Sequence, residues 1–229
     1  MIGIVIPTYN ERENLPLLVE KIFALKIPNV TLIIVDDNSP DGTGDIAEEL
    51  AKKYGNIEVL HRKVFGRATA GLDGFKKALA KGAELIMEMD ADLSHDPNDI
   101  PRFLEEIQTC DVVIGSRYGA GRIVYRSWFR NFLSDFANIY NRTLLGLKIR
   151  DVSGGFKCYR RKVLASLDLN RFISTGYTIG AETLYRISKK GFKIKEIPII
   201  FRDRTYGASK CTFKVMLNYA YKIWQIRFF

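Results

Sequence analysis

Two aspartates, one residue apart, follow a short apolar run near the middle of the sequence. Asp90 and Asp92 come directly after residues 85–89, which have the composition of a buried strand. Open α/β sheets bind their ligands at the carboxyl ends of their strands. A second acidic pair, Asp36 and Asp37, closes another apolar run in the same way. A lone Asp-x-Asp also fits a solvated turn, but two such strand ends in a basic chain indicate a metal-dependent site for a phosphorylated ligand.

The composition is that of a folded protein with an excess of positive charge. The chain has 229 residues, of which 47% are hydrophobic and 27% charged, and this is ordinary for one domain with a full core. Lys and Arg number 35 against 26 Asp and Glu, so the formal net charge is +9. A surplus of this size suits nucleic acid, anionic lipid headgroups or a phosphate-rich small substrate.

Several classes of protein are excluded by the remaining composition. The cysteines lack the spacing of a zinc site or a disulfide framework, which favours a reducing, cytoplasmic setting; they are Cys110, Cys158 and Cys211. Neither histidine, His61 or His95, has a Ser or Cys nucleophile at the spacing of a hydrolase triad. We find no signal peptide and no apolar run of about 18 residues that could cross a membrane. No nucleic-acid-binding motif accompanies the charge, so we expect no nucleic-acid partner.

Short apolar strands and amphipathic helices alternate through the first half of the chain. The sequence predicts strands at residues 2–6, 30–35, 57–60, 85–89 and 112–114. It predicts helices at residues 15–25, 44–54, 69–81 and 100–108. This alternation is typical of a parallel sheet covered by helices, with right-handed crossovers.

The pattern changes after Ser116. Four further elements are predicted, namely a long aromatic helix at about 127–145, a strand-like stretch at 151–159, a helix at 179–189 and a strand at 193–201. No internal repeat or linker interrupts the chain, so we expect one catalytic domain over residues 1–211 and an amphipathic helix over residues 212–229.

Three strand ends and several later segments together resemble glycosyltransferase family 2. The strand ends read IPTYNE at 6–11, VDDNS at 35–39 and MDAD at 89–92. The later segments look like the dolichyl-phosphate mannose synthase branch of that family; they are GSRY at 115–118, Arg130 with Ser134 and Asn138, DVSGGF at 151–156, Gly176 and Tyr177 with Glu182, FRDR at 201–204 and GASK at 207–210. The resemblance covers about residues 2–210. It implies a nucleotide-sugar-binding, Rossmann-like glycosyltransferase A fold, with a mainly parallel central sheet flanked by helices.

The resemblance also implies a donor site for a nucleotide sugar. Its residues would be Pro7, Tyr9, Glu11, Val35, Asp37, Asp90, Ala91, Asp92, Arg204 and Lys210. Asp92 would be the main ligand of Mg²⁺ or Mn²⁺, with Ser94 and Asp90 beside it, because oxygen ligands suit a hard cation that bridges diphosphate oxygens. Asp90 would also contact ribose or sugar hydroxyls, and Asp37 would receive the nucleoside. A helix-capping turn before Gly42 is the other interpretation of the second acidic pair.

By the same resemblance, Arg117, Arg130 and Ser134 would hold the phosphate of the acceptor. Asp92, Arg117 and Arg130 would be the catalytic residues. A lipid monophosphate is already anionic near neutral pH, so it can attack the anomeric carbon without a general base if it is held in line. One direct displacement inverts the anomeric centre and gives a β-linked product from an α-linked donor.

The expected reaction is therefore transfer of a hexose to a dolichyl or other polyprenyl phosphate. Mannose from GDP-mannose is the first choice of donor, and glucose from UDP-glucose is the alternative. A non-catalytic nucleotide-sugar sensor is the alternative from another functional class. The chain departs from the family pattern at residues 66–70, which read GRATA instead of Gly-Leu-Gly-x-Ala, and in a short loop after Arg117.

The last predicted helix carries both apolar and basic side chains. One face holds Phe213, Met216, Leu217, Ala220, Ile223 and Trp224, and another holds Lys214, Asn218 and Lys222. Such a helix either packs on the core or lies on an anionic membrane, where the aromatic helix from Ser127 would join it. We expect a membrane-associated protein at the cytoplasmic face. We also expect the natural protein to continue beyond Phe229 into membrane helices.

Overall fold

Alternating strands and helices form the first half of the chain, as the sequence predicts. The computed structural model describes residues 1–63, 66–118, 123–125, 128–174, 176–202 and 213–228. The first five strands are β1 (Ile2–Thr8), β2 (Val30–Asp36), β3 (Ile57–His61), β4 (Leu85–Glu88) and β5 (Val112–Ser116). The helices that connect them are α1 (Asn14–Ala24), α2 (Thr43–Tyr54), α3 (Arg67–Ala80) and α4 (Ile100–Glu106). The predicted α/β class is confirmed.

The second half adds short strands and longer helices. Its elements are β6 (Ile123–Tyr125), α5 (Trp128–Leu145), β7 (Lys157–Arg160), α6 (Arg161–Ala165), α7 (Ile179–Lys189), β8 (Ile194–Pro198), β9 (Ile200–Arg202) and α8 (Phe213–Phe228). Single 3₁₀ turns lie at Pro97–Asp99, Ile107–Thr109 and Gly176–Thr178.

Seven strands form the central sheet, in the order β3-β2-β1-β4-β7-β5-β8. All neighbouring pairs are parallel except those of β7, which runs antiparallel between β4 and β5. From β1 the chain proceeds outward to β2 and β3, and then returns to place β4 on the other side of β1. This reversal lies at the carboxyl ends of β1 and β4, where open α/β sheets form their ligand crevice.

Both faces of the sheet are covered, which explains the nearly continuous apolar strands. Ile4 and Ile6 pack in the cluster that contains α1 and α4, while Val5 packs in the cluster that contains α3 and α7. Helix α3 lies very close to β1, because a Cβ added at Gly74 would come within 2.2 Å of Val5 Cγ1. This close contact fixes the middle of α3 against β1.

Two strand predictions in the second half are wrong. The stretch predicted at 151–159 is a loop up to Phe156, and only Lys157–Arg160 is a strand. The strand predicted at 193–201 is divided into β8 and β9. The break comes after Pro198, which has no N–H to donate to a sheet. Ile199 N still donates to Ser116 O of β5 at 3.1 Å. Strand β9 then pairs with β6 in a separate two-stranded sheet.

Two consecutive arginines join β7 to the ends of the helices beside it. Arg160 donates from Nε to Cys110 O at 2.9 Å, just beyond α4. Arg161 donates from Nη1 to Leu79 O at 2.9 Å, in the last turn of α3. Each guanidinium therefore satisfies carbonyl groups that a helix end leaves without a partner.

Helix α8 packs on the core with one side and exposes the other. Ile223 and Ile226 are buried in the core cluster, and Tyr140 of α5 donates its hydroxyl to Ala220 O at 3.0 Å. The sequence placed Ile223 and Trp224 on one face, but Trp224 is 43% exposed. Within the residues that the structure describes, no helix has both the length and the apolar character required to cross a membrane.

Candidate active site

The carboxyl ends of β2, β1 and β4 lie side by side in the sheet. Asp37 N donates to Thr8 O at 3.0 Å, which closes the end of β2 against the end of β1. Met89 N donates to Val5 O at 3.2 Å and holds the chain after β4 on the other side. The two acidic pairs therefore follow strands that flank β1, as one site requires.

The loop that follows β4 is held in a defined conformation. Ser94 N donates to Asp92 Oδ1 at 3.1 Å, and Leu93 between them adopts a φ of 60°. Asp90 N donates to His95 Nδ1 at 3.2 Å. The imidazole of His95 is buried and stacks on Phe156, with the ring centroids 5.2 Å apart. From the sequence, His95 could either support the acidic motif that it follows or be an ordinary loop residue; its hydrogen bond with Asp90 N shows that it helps to hold the acidic loop.

The side chains of this loop fit a hard divalent cation. Asp92 is 8% exposed, Ala91 and Ser94 are buried, and Ser94 Oγ has no hydrogen-bond partner among the residues that the structure describes. The described residues contain no cluster of three or more His, Cys, Asp or Glu side chains that could enclose an ion. One or two carboxylates are nevertheless sufficient for Mg²⁺ when substrate phosphates complete its coordination.

The two aspartates of the second acidic pair make different contacts. Asp36 forms the turn, because its Oδ1 accepts from Ser39 Oγ at 2.5 Å and its Oδ2 from Ser39 N at 3.2 Å. Asp37 instead points toward α3, where its Oδ2 accepts from Gly66 N at 2.8 Å and its Oδ1 from Arg62. Helix α2 begins after Gly42 without a hydrogen bond from a side-chain cap. Neither Asp36 nor Asp37 therefore caps this helix, and the capping interpretation is wrong.

Sequence reasoning missed Arg62. This residue directly follows β3, and its position at the end of a predicted strand is the sequence signal that could have identified it. Its side chain is only 9% exposed, and it contacts Asp73 Oδ2 at 3.0 Å as well as Asp37. It joins the ends of β2 and β3 to the first turn of α3.

The remaining residues predicted for the nucleoside lie at the carboxyl ends of β1 and β2 or in the segment that follows β1. Pro7 and Val35 are opposite each other in the register of β1 and β2, and both are buried. Tyr9 is half-buried. Glu11 Oε2 accepts from Asn14 Nδ2 at 2.7 Å, at the start of α1. The structure thus places these four residues along the same crevice edge as Asp37.

Arg117 lies beyond β5 and is bound by a buried carboxylate. Its Nε and Nη2 donate to the two oxygens of Asp151, each at 2.8 Å, and Nη2 also donates to Ser153 Oγ at 2.7 Å. Burial opposes the charge of Arg117, but the attraction of Asp151 outweighs it and raises the pKa of the guanidinium. Burial likewise opposes the charge of Asp151, but Arg117 outweighs it and lowers the pKa of the carboxyl group.

The loop that carries Asp151 is fixed from two sides. Glu196 of β8 accepts from Arg150 N at 2.8 Å and from Asp151 N at 2.9 Å. Asn138 of α5 accepts from Val152 N at 2.9 Å and donates to Arg150 O. The position of Arg117 therefore depends on contacts from three distant segments, and sequence reasoning identified none of these contacts.

Several predicted residues are only partly described or lie outside the described residues. Ser134 is half-buried on α5, one turn before Asn138. The backbone of Arg130 belongs to the same helix, but its side chain lies outside the described part. Arg204 and Lys210 also lie outside the described residues.

Tyr118, just after β5, forms a hydrogen bond with Asp135 of α5 and so ties the end of β5 to that helix. Burial raises the pKa of Tyr118, and the hydrogen bond with Asp135 acts in the same direction.

Glu182 is fully buried and is not placed to act as a base. Its carboxylate accepts from Ile173 N at 3.1 Å, from Ser174 N at 2.8 Å and from Arg186 Nε at 2.8 Å. These bonds hold the loop before α7. The role of Glu182, which the sequence groups with Gly176 and Tyr177, is therefore structural.

Comparison with known proteins gives a consistent result. The family described as Glycosyl transferase family 2 matches residues 3–168. Polyprenol monophosphomannose synthase of Mycolicibacterium smegmatis is 41% identical, and the match covers 98% of this chain and 86% of that protein. Undecaprenyl-phosphate mannosyltransferase of Micrococcus luteus is 39% identical, with 90% and 85% covered.

Solved structures share the fold. Glucosyl-3-phosphoglycerate synthase from Mycobacterium tuberculosis, in complex with Mg²⁺ and UDP, matches with a TM-score of 0.73 at 16% identity, over 99% of this chain and 79% of the other. The same synthase with Mn²⁺, UDP and phosphoglyceric acid gives 0.71 at 17% identity, over 99% and 76%. At this level of identity the likeness establishes the architecture only.

Proposed function

Because the chain belongs to glycosyltransferase family 2, we propose that it transfers mannose from a nucleotide sugar to a polyprenyl phosphate. The observation that carries the proposal is the near-complete match to two enzymes named for mannosyl transfer to polyprenol or undecaprenyl phosphate. The acidic loop after β4, with Asp92 and the unbonded hydroxyl of Ser94, supplies a site for the donor's diphosphate. GDP-mannose is the proposed donor, and UDP-glucose is the runner-up.

Donor binding would use the crevice edge described above. The nucleoside would lie against Pro7, Tyr9, Glu11, Val35 and Asp37, and Asp90 and Ala91 would contact the ribose or the sugar. Asp92, with Asp90 and Ser94, would hold Mg²⁺ or Mn²⁺, which neutralises charge on the departing diphosphate when it is bound. Arg204 and Lys210 would add positive charge to the same diphosphate.

Acceptor binding would use the opposite side of the crevice, at β5 and α5. Arg117, Arg130 and Ser134 would hold the lipid phosphate in line with the anomeric carbon. Asp151 already neutralises the charge of Arg117. We therefore assign to Arg130 the larger part in neutralising the negative charge of the acceptor phosphate. A phosphate oxygen is already anionic, so positioning and charge stabilisation replace a general base.

An apolar surface on α5 and α8 suits the membrane in which such an acceptor resides. We call it the apolar face; its exposed residues are Phe132, Phe136, Ile139, Leu217, Tyr221, Trp224 and Phe228. The two helices are joined at Tyr140 and Ala220. Helix α5 also carries Ser134 and Asn138, so the acceptor side lies next to this face. We propose that residues 212–229 act as an interface helix and that the protein works on the cytoplasmic face of a membrane.

A transfer assay tests the proposed function. Labelled GDP-mannose and a polyprenyl phosphate in detergent, with Mn²⁺, should give a β-linked mannosyl phosphate lipid. UDP-glucose in place of GDP-mannose tests the runner-up donor. Stabilisation by a nucleotide sugar without any product from either donor would favour the sensor instead.

Charged substitutions on the apolar face should reduce membrane binding without unfolding the protein. We expect the double variant Phe132→Glu, Phe136→Glu to bind anionic vesicles at least about tenfold more weakly, because it loses apolar contact and adds negative charge. Flotation with vesicles at two salt concentrations measures this. Leu17→Glu on α1, at the opposite face of the sheet, is the matched control. Wild-type flotation of the double variant would contradict the assignment of the apolar face.

A further inference from the structure

A buried arginine joins three elements at the nucleoside side of the crevice. Arg62 donates to Asp37 Oδ1, to Asp73 Oδ2 at 3.0 Å, to Gly66 O at 3.2 Å and to Thr69 Oγ1 at 2.5 Å. Its own N–H donates to Asp36 O at 2.9 Å. The guanidinium thus binds the end of β2 and the first turn of α3 at the same time.

Asp37 depends on this arginine more than Asp73 does. The side chain of Asp37 is 4% exposed, whereas that of Asp73 is 41% exposed and can be solvated. Besides Arg62, the carboxylate of Asp37 accepts from Gly66 N at 2.8 Å. A carboxylate offers about four lone-pair directions, so two described hydrogen bonds fix its orientation and leave capacity for donors on a ligand.

We infer that Arg62 is a positioning residue for recognition of the donor nucleoside, and that it acts through Asp37. The inference rests on the proposed function, which places a nucleoside at Asp37. Arg62 neutralises the buried carboxylate and holds it against the turn at Gly66 and Thr69. The N–H groups of a nucleobase or the hydroxyl groups of a ribose would then meet a carboxylate that is already oriented, so little ordering remains for binding.

This role predicts a specific pattern of binding losses. If Arg62 acts through Asp37, then removing either partner should disrupt the same interaction, and removing both should cost little more than removing one. The effect should also require the nucleoside part of the ligand. Inorganic pyrophosphate with Mn²⁺ would occupy the metal and diphosphate site alone, so its binding should be insensitive to Arg62.

The test compares Arg62→Gln, Asp37→Asn and the double variant by calorimetric titration with GDP, UDP and pyrophosphate, each with Mn²⁺. Of GDP and UDP, we consider the nucleotide that the wild type binds more tightly. We expect each single variant to bind it at least tenfold more weakly than the wild type does. The affinity of the double variant should lie within about threefold of that of the weaker-binding single variant. Pyrophosphate affinity should change less than twofold. Arg62→Lys, which keeps the charge but not the planar fork, should recover part of the loss.

A matched control separates positioning from general stability. Arg161→Gln removes another arginine that donates to carbonyls near the other end of α3, and it should lower the melting temperature while leaving nucleotide affinity unchanged. If Arg62→Gln does not fold, Arg62→Lys decides by the same comparison. Wild-type nucleotide affinity in the Arg62 variants would overturn the inference, as would additive losses or an equal loss for pyrophosphate. If the wild type bound pyrophosphate but neither nucleotide, the proposed donor site itself would fail.

Discussion

Replacing Asp92 by Asn will abolish transfer and leave the fold intact. Asp92 lies on the loop after β4, where its Oδ1 accepts from Ser94 N at 3.1 Å, and an asparagine can accept the same bond. The substitution removes the negative charge by which Asp92 would attract a divalent cation, and the remaining amide oxygen is a much weaker ligand. We expect turnover at saturating Mn²⁺ to fall at least about a hundredfold, since electrostatic stabilisation of a leaving group is commonly worth that much, with an unchanged melting temperature.

The control for this experiment follows from the structure. Asp73, which is 41% exposed on helix α3, is unsuitable as a control because it pairs with Arg62. Asp168→Asn is suitable, because the side chain of Asp168 is 52% exposed and its ion pair with Arg171, at 3.3 Å, lies at the surface. Its Oδ1 accepts from Asn170 N at 3.1 Å, and an asparagine oxygen can accept the same bond. This variant should keep wild-type turnover. If Asp92→Asn retained more than a tenth of the wild-type rate, Asp92 would not be the main metal ligand.

Replacing Arg117 by Ala will lower both stability and turnover. The substitution leaves Asp151, which is fully buried, without its cation. Breaking a buried ion pair from one side typically costs about 3–5 kcal/mol, so the midpoint of urea unfolding should fall clearly at pH 7. The sequence predicts that turnover with the lipid phosphate suffers more than donor binding. The structure adds a loss of stability, because Nε and Nη2 of Arg117 both donate to Asp151.

The stability deficit should depend on pH with a definite sign. Because the pKa of Asp151 is lowered in the folded protein, its favourable contribution is present above the unfolded value of about 4 and is lost as the pH falls through the folded value. The difference between wild type and Arg117→Ala should therefore be greatest near neutral pH and shrink in acid.

Arg117→Lys is the informative companion variant. It keeps the charge but cannot make the two parallel bonds, so it should lie between the wild type and Ala in stability. Donor affinity, measured by calorimetry on folded protein, should stay near wild type in both variants. An unchanged unfolding midpoint for Arg117→Ala would refute the structural role, and a loss of donor affinity would move Arg117 to the donor side.

The sequence locates the acidic residues at the strand ends better than it locates the contacts that hold Arg117. The acidic residues after β2 and β4 follow uninterrupted apolar runs, and local periodicity is enough to locate them. Asp151 was misassigned to a strand because Val152 and Phe156 resemble strand residues, while its partner Arg117 is distant along the chain. Contacts such as those of Asn138 and Glu196 leave no periodic signal. The roles assigned to the site residues, those of Arg130, Arg204 and Lys210 included, remain predictions.

Helix α8 shows a second limit of local patterns. Ile223 and Trp224 are adjacent, and both are apolar, so hydropathy alone places them on the same side. The structure buries Ile223 and leaves Trp224 43% exposed, because α5 and the core cover only one side of α8. Which apolar residues face solvent is therefore decided by the neighbouring helix, and this neighbour is not visible in the helix's own sequence.

The central position of β7 has a consequence for the order of folding. Strands β4 and β5 are not adjacent; residues 157–160 lie between them and pair with both. Until this segment has been synthesised, the nascent sheet has two unsatisfied edges at the place where the acidic loop begins. Pairing at such sequence separation is slow, and open edges invite association with other chains. We therefore expect a fragment ending near residue 118 to aggregate, and expect catalytic competence to appear only after the second half has closed the sheet.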